Sequence, residues 1–262
     1  MSDENMEWVT ELKSQYIAEE SIIFLLHGNI HDKFPLQKGF LTEFVSLSEW
    51  LHHMLRDNKD YLLEYNLSDS FKFPIMPQDP DVDYKYLKGK FEVLKDIDIS
   101  RFKAFKEMEE HLLDDKHKVG ILLPYCETLV PNKPVSSMIE TDMRTLVRLL
   151  EWSKNSKLRQ MDNIIILSTE NIGLINERIT SSSDISLNEI PLPAEIFRLR
   201  FVETFLEKHS INFEAGMTPE RFSTVCQGLT LVQIERILQR AENRKQIVNF
   251  DLVNQRKKEI LE

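Results

Sequence analysis

Short apolar runs alternate with amphipathic stretches along the first 193 residues. The apolar runs predict strands in "IIFLLHG", "DYLLEYNLS", "KVGILLPYCETL", "NIIILSTEN" and "DISLNEIPLP". Apolar positions at helical spacing predict helices over Glu7 to Glu19, Leu41 to Asn58, Asp98 to Leu113 and the segment "IETDMRTLVRLLEWSKN". The proline-rich segment "FKFPIMPQDPDVDY" predicts an extended loop. Strands and helices that alternate in this way indicate an α/β unit with a mostly parallel sheet.

The pattern changes after Pro193, where helical periodicity continues without further strands. Helices are predicted in "AEIFRLRFVETFLEKH", "TPERFSTVCQG", "TLVQIERILQRAENR" and "NFDLVNQRKKEILE", and Thr218-Pro219 and Thr230 are start signals. We therefore expect two parts, an α/β domain over residues 1–193 and a small helical domain over residues 194–262.

Composition and charge narrow the class of protein. The chain of 262 residues is 42% hydrophobic, which is typical of a globular protein with a substantial core. Its net charge of −10 argues against a nucleic-acid partner, because phosphate binding needs clustered Lys and Arg. Two cysteines far apart, no long apolar run and an acidic N-terminus favour a reduced, cytoplasmic protein that does not enter a membrane.

The loop after the first predicted strand, "HGNIHDKF", stands where a phosphate-binding loop usually follows a strand. A working loop reads G-x-x-x-x-G-K-[ST]. Here Lys33 comes one position early, no second Gly precedes it, and Phe34 takes the place of the metal-binding hydroxyl. Lys33 is either a phosphate contact or a solvated lysine. His27 and His31, beside Asp32, suggest either a metal site or two structural histidines.

Four segments in order resemble motifs of the AAA+ ATPase family. "KVGILLPYCETL" stands in the Walker-B place, "IIILSTEN" is similar to the sensor-1 strand, "EIPLPAEIFRLRFVETFL" to the strand-to-lid crossing, and "CQGLTLVQIERILQRA" to a lid helix. The resemblance implies a P-loop-NTPase-like parallel sheet with flanking helices, followed by a small C-terminal helical lid. It also implies that Asn171 would help orient the attacking water.

At the positions that carry the family's chemistry, this chain has residues of a different chemical type. Pro124 stands where the magnesium carboxylate is expected, and Glu127 is the nearest carboxylate. Ser182 stands where a neighbouring subunit's arginine is expected, with Arg178 upstream. Without a metal ligand and a phosphate cradle, triphosphate hydrolysis has no charge compensation. These departures predict a catalytically degenerate module that assembles with, or regulates, other AAA+ modules in cis or in trans, or binds a protein client.

The vestigial nucleotide-site positions are predicted to be Gly28, Lys33, Glu127, Asn171 and Arg178, with no catalytic residue, no metal ligand and no cofactor. Contacts with neighbouring modules are predicted at Arg178, Arg198 and residues 188–193. Two alternatives stay open. One is an enzyme that binds ATP or ADP with Mg²⁺ through Lys33, with Asp32 or Glu127 on the metal. The other is a pure interaction scaffold. The start "IFLLHGN" and the ending "FDLVNQRKKEILE" resemble the first module of two-module relatives, so we expect a longer polypeptide.

Overall fold

The structure of the chain, a computed structural model, describes residues 6–39, 41–72 and 99–261. The chain folds into two compact units, each discontinuous in sequence. We call Asp3–Ile30 with Leu51–Ile190 the sheet unit, and His31–Trp50 with Pro191–Glu262 the helical unit. Residues 31–50 thus pack with the C-terminal helices. The predicted domain boundary at residue 193 stays a prediction.

The helices and strands are given in chain order. They are α1 (Glu7–Ile17), β1 (Ile23–Gly28), β2 (Phe34–Lys38), β3 (Leu41–Val45), α2 (Leu47–Leu55), β4 (Tyr61–Asn66), β5 (Ser70–Lys72), α3 (Arg101–Leu112), β6 (Val119–Pro124), α4 (Glu140–Lys154), α5 (Ser156–Gln160), β7 (Ile164–Thr169), α6 (Glu177–Thr180), β8 (Ile185–Ile190), α7 (Glu195–Leu206), α8 (Pro219–Val225), α9 (Leu231–Arg244) and α10 (Phe250–Leu261).

The sheet unit contains a six-stranded sheet in the order β5-β4-β6-β7-β1-β8 among the described residues. Its strands are parallel except β5, which pairs antiparallel with β4. Every residue of β7 is buried, as expected for a strand covered on both faces, and this explains its unbroken apolar sequence. The predicted α/β class with a mostly parallel sheet is confirmed.

Aromatic side chains fill the core of the sheet unit. The rings of Phe105 and Trp152 stack with centroids 5.7 Å apart, and Trp152 is 2% exposed. The indole N–H of Trp152 donates to the carboxylate of Glu109, which satisfies its polar atom. Trp152 therefore serves core packing. Most of the proline-rich segment predicted as a loop lies outside the described residues, and its first two residues, Phe71 and Lys72, belong to β5.

The helical unit combines α7 to α10 with a β-hairpin, which corrects the prediction of a helix over Leu41 to Asn58. Residues Leu41–Val45 form β3 and pair antiparallel with β2, and the helix begins only at Leu47. Gly39, with φ of +63°, lies directly after β2 and supplies the left-handed conformation that a tight hairpin turn needs. The apolar stripe was therefore shared between a strand and a helix.

The hairpin packs within the helical unit through aromatic side chains. Phe44 of β3 meets Phe201 of α7 edge to face, with ring centroids 5.1 Å apart. Phe34 of β2 lies against Trp50, and the indole of Trp50 donates to the carbonyl of Pro35. Trp50 is 1% exposed and is therefore part of the core. Burial of side chains of this size is the main source of stability for the hairpin.

Candidate functional site

The carboxyl ends of β6, β7, β1 and β8 lie side by side at one edge of the sheet. The chain leaves β1 toward β4 on one side, whereas β7 connects to β8 on the other side of β1. Such a switch point is where open α/β sheets bind ligands. Gly28 ends β1, Glu127 follows β6 and Asn171 follows β7, so three of the five predicted positions share this edge.

Gly28 is required by backbone packing at this edge. Its φ is +94°, and a Cβ atom there would lie 2.8 Å from the carbonyl oxygen of Ile190 on β8. That same oxygen accepts a hydrogen bond of 2.9 Å from the amide of Asn29, and the amide of Ile30 donates to the carbonyl of Gly28 at 2.8 Å. Two amides that a phosphate cradle would present are thus used by the backbone itself.

The chain turns sharply after β6, and this turn carries the predicted site residue Glu127. Tyr125 has φ of +56° and leads into a 3-10 turn over Cys126–Thr128. Burial raises the pKa of the Cys126 thiol, and the charge of Glu127 raises it further, which favours the protonated thiol. Within the described part of the chain, the buried Oε2 atom of Glu127 has no hydrogen-bond partner. Glu127 is the one carboxylate at this turn, as expected.

The amide oxygen of Asn171 is used in a turn. It accepts a hydrogen bond of 2.8 Å from the backbone amide of Gly173 and starts the 3-10 turn Ile172–Leu174. The hydroxyl of Thr169 donates to the backbone carbonyl of Asn171 at 3.3 Å. This geometry matches the local backbone role of Asn at a strand end. Arg178 lies exposed on the short helix α6 in the same unit.

The loop residue Asp32 is bound within the helical unit. It is 4% exposed, and its two carboxylate oxygens accept hydrogen bonds of 3.0 Å each from the amides of Leu231 and Val232. These are the first two amides of α9, which have no partner inside the helix. An anion at this position also interacts favourably with the helix dipole. Asp32 therefore caps a helix that begins about 200 residues later in the chain.

Lys33 is bound to the same helix one turn further on. Its Nζ lies 2.6 Å from Oε1 of Glu235 and 5.8 Å from the centroid of the Phe201 ring. The two charged side chains are 29% and 21% exposed, so the ion pair is partly shielded from water. Both charged groups of the loop, Asp32 and Lys33, are therefore held by α9. Gly28, Glu127, Asn171 and Arg178 belong to the sheet unit, whereas Lys33 belongs to the helical unit.

Comparison with protein families gives two matches that together span nearly the whole chain. Residues 5–191 match the family described as AAA+ chaperone, N-terminal Rossmann-like domain, and residues 197–262 match AAA+ chaperone, second helical domain. The chain belongs to the AAA+ chaperone family. A search among curated proteins finds no match. The resemblance to AAA+ ATPases that the sequence motifs indicated is confirmed, with the parallel sheet and the helical part both in place.

One prediction about the contact surface of this AAA+ module is wrong. Arg198 is 6% exposed, and its guanidinium donates to the carbonyls of Ser223, at 2.9 Å, and Pro193, at 2.6 Å. A buried guanidinium with two backbone acceptors ties α7 to α8 and cannot meet a neighbouring module. Asn188 is 1% exposed and donates to Gln15 at 3.1 Å, so within residues 188–193 this side chain is internal too.

The sequence reasoning missed the role of Asp32 and Glu235. Local signals identified the start of α9, where Thr230 and Gln233 form a capping box. Nothing local shows that a second cap comes from a residue in a distant loop.

The described ranges contain neither a metal centre nor a membrane span. No group of three or more His, Cys, Asp and Glu side chains is arranged to hold a metal ion there. No helix there is long and apolar enough to cross a membrane.

Proposed function

We propose that this chain is a nucleotide-independent AAA+ module that acts through protein contacts, with other AAA+ modules in cis or in trans or with a protein client. The observation that carries the proposal is the binding of Asp32 and Lys33 to α9. Phosphate binding needs free backbone amides and a free lysine in register. In this loop the lysine is paired with Glu235, and the amides of Asn29 and Ile30 are bonded to backbone carbonyls.

The metal side of the site supports the same proposal. Pro124, at the end of β6, pairs with Ser168 of β7 and offers no side-chain ligand to a divalent cation. A neutral residue in that place removes the largest charge interaction that such a site normally has. The role left to the module is binding, for which the family provides the context, because AAA+ chaperone domains suggest contacts with other proteins or modules.

The test is a thermal melt of the whole chain with and without millimolar ATP and Mg²⁺, together with a phosphate-release assay. Nucleotide present at 100 times its Kd would stabilise the fold by about 2.7 kcal/mol. For a chain of this size that stabilisation raises Tm by about 5–10 °C. We expect no shift and no turnover. A shift of this size, or turnover that Lys33→Ala abolishes, would show that the module uses nucleotide.

One observation favours nucleotide binding through an atypical loop as a second function. The buried, unpartnered Oε2 of Glu127 lies at the carboxyl edge of the sheet, where a magnesium ligand would act. If this function is correct, calorimetry with ATP and Mg²⁺ gives heat of binding that Glu127→Gln removes. If Glu127 is structural, any heat of binding persists in Glu127→Gln, and if the module binds no nucleotide, neither protein gives heat.

A further inference from the structure

Arginine side chains from two neighbouring helices meet on the helical unit. Arg240 and Arg244 lie four residues apart on α9, so their side chains share one face of that helix. Arg256 lies on α10, which packs with α9 around Val253 and Leu238 in the unit's apolar core. We call Arg240, Arg244 and Arg256 the arginine cluster. Burial lowers the pKa of Arg240, and the charges of Arg244 and Arg256 lower it further, against a smaller opposing effect of the Glu259 charge.

Two carboxylates of these two helices are engaged outside the arginine cluster, and a third pairs with one of its members. On α9, Glu235 binds Lys33, and Glu242 binds His209 at 2.9 Å. On α10, Glu259 pairs with Arg256. In the described ranges no carboxylate forms an ion pair with Arg240 or Arg244, and the buried Nε atoms of Arg240 and Arg256 have no hydrogen-bond partner. Arg240 and Arg244 therefore hold like charges close together without a carboxylate partner, and an incoming anion reduces their repulsion.

We propose that the arginine cluster is a docking surface for an acidic protein segment, whose Asp and Glu carboxylates bind the guanidiniums of Arg240 and Arg244. Arginine donates in a planar fork that matches a carboxylate in bidentate geometry. The step from Arg240 to Arg244 along α9 is about 6 Å, which equals the step between carboxylates four residues apart on an acidic helix.

The rest of the molecule favours a short acidic segment over a nucleic acid. The chain carries a net charge of −10, so a long polyanion meets repulsion outside the cluster. A short segment meets only the cluster and the turn that follows Arg244. Ile247 and Phe250, in and just after that turn, are 58% and 56% exposed and offer apolar contact beside the charges. Binding of an acidic segment to the arginine cluster goes beyond the proposed function, since it does not depend on whether the module binds nucleotide.

The experiment measures fluorescence anisotropy of a labelled, glutamate-rich helical peptide titrated with the whole chain in low salt. We expect binding that weakens as salt rises and that disappears when every Glu of the peptide is replaced by Gln. The double variant Arg240→Gln/Arg244→Gln should bind at least about tenfold more weakly. The matched control, Lys154→Gln/Lys157→Gln, removes the same charge from exposed positions of the sheet unit and should bind within about twofold of the unmodified chain.

Thermal melts of all variants show whether each one is folded. If the double variant melts early, Arg244→Gln alone, at an exposed position, replaces it and should still weaken binding. Equal peptide affinity for the arginine variant and the unmodified chain would overturn the proposal. So would an absence of peptide binding, or a labelled single-stranded oligonucleotide that binds through the same arginines at least as tightly as the peptide. Nucleotide melts are measured separately, so failure here leaves the proposed function standing.

Discussion

Replacement of Asp32 by Ala tests the central contact of the loop. The variant loses both hydrogen bonds of 3.0 Å to α9, and the amide of Leu231, a residue that is 1% exposed, is left without this acceptor. Loss of a helix cap costs about 1 kcal/mol. An unsatisfied buried amide adds about 1–3 kcal/mol. We therefore expect the free energy of unfolding to fall by about 3 kcal/mol, with a Tm lower by about 6–12 °C.

Urea denaturation gives the free energy, and hydrogen exchange at the amides of Leu231 and Val232 shows where the loss occurs. These two amides should exchange faster in Asp32→Ala, because they have lost their acceptor. Asp32→Asn keeps one oxygen and should lose about half as much stability, since the charge contributes through the helix dipole.

Asp115→Ala is the control, because Asp115 is exposed and should change stability by no more than about 0.5 kcal/mol. An Asp32→Ala protein as stable as this control would refute the view that the loop holds α9.

Two further predictions concern the sheet unit. Gly28→Ala should lower the free energy of unfolding by about 1–3 kcal/mol because of its positive φ, and by more because the added Cβ would lie 2.8 Å from the Ile190 carbonyl oxygen. Gly228→Ala, with φ of +87° and open space around it, should lose only the part that comes from φ. Equal losses of stability for the two variants in urea melts would contradict this explanation. Asp162 has a pKa of about 2, because burial, which raises it, is outweighed by hydrogen bonds from Lys118 and Tyr16 and by the charge of Lys59. Its carboxylate therefore stabilises the fold above the unfolded pKa of about 4, and this contribution is lost as pH falls toward 2. The free energy of unfolding, measured by urea melts at several pH values between about 4 and 2, should depend less on pH in Asp162→Asn than in the unmodified chain. An unchanged pH dependence would show that Asp162 contributes little.

Strands β1, β4, β6, β7 and β8 and most helices were readable from local sequence, because burial repeats with the period of each element. The run "IIILST" became β7 as predicted, and the helices after Pro193 begin within a residue or two of their start signals. The prediction failed at Leu41–Val45, where an apolar stripe at helical spacing forms a strand. Its partner strand β2 decided the outcome, and such pairing is set by the fold rather than by local periodicity.

The candidate site was predicted in part. The carboxyl edge gathers Gly28, Glu127 and Asn171, because parallel strands end at the same side of a sheet. Lys33 was predicted to be either a phosphate contact or a solvated lysine, but its Nζ is paired with Glu235, which lies 202 residues away in the chain. Whether this module has lost nucleotide chemistry stays a prediction, and the nucleotide melts decide it.

The sequence by itself determined the class of fold and the family, since these depend on periodicity and on motifs in order. Only the tertiary structure decided which charged groups of the loop are already bound to other parts of the protein. Asp32 and Lys33 look like ordinary charged residues until α9 is packed against them. The physical reason is that a hydrogen bond between distant residues depends on where the folded backbone brings their atoms, and no local pattern encodes that distance.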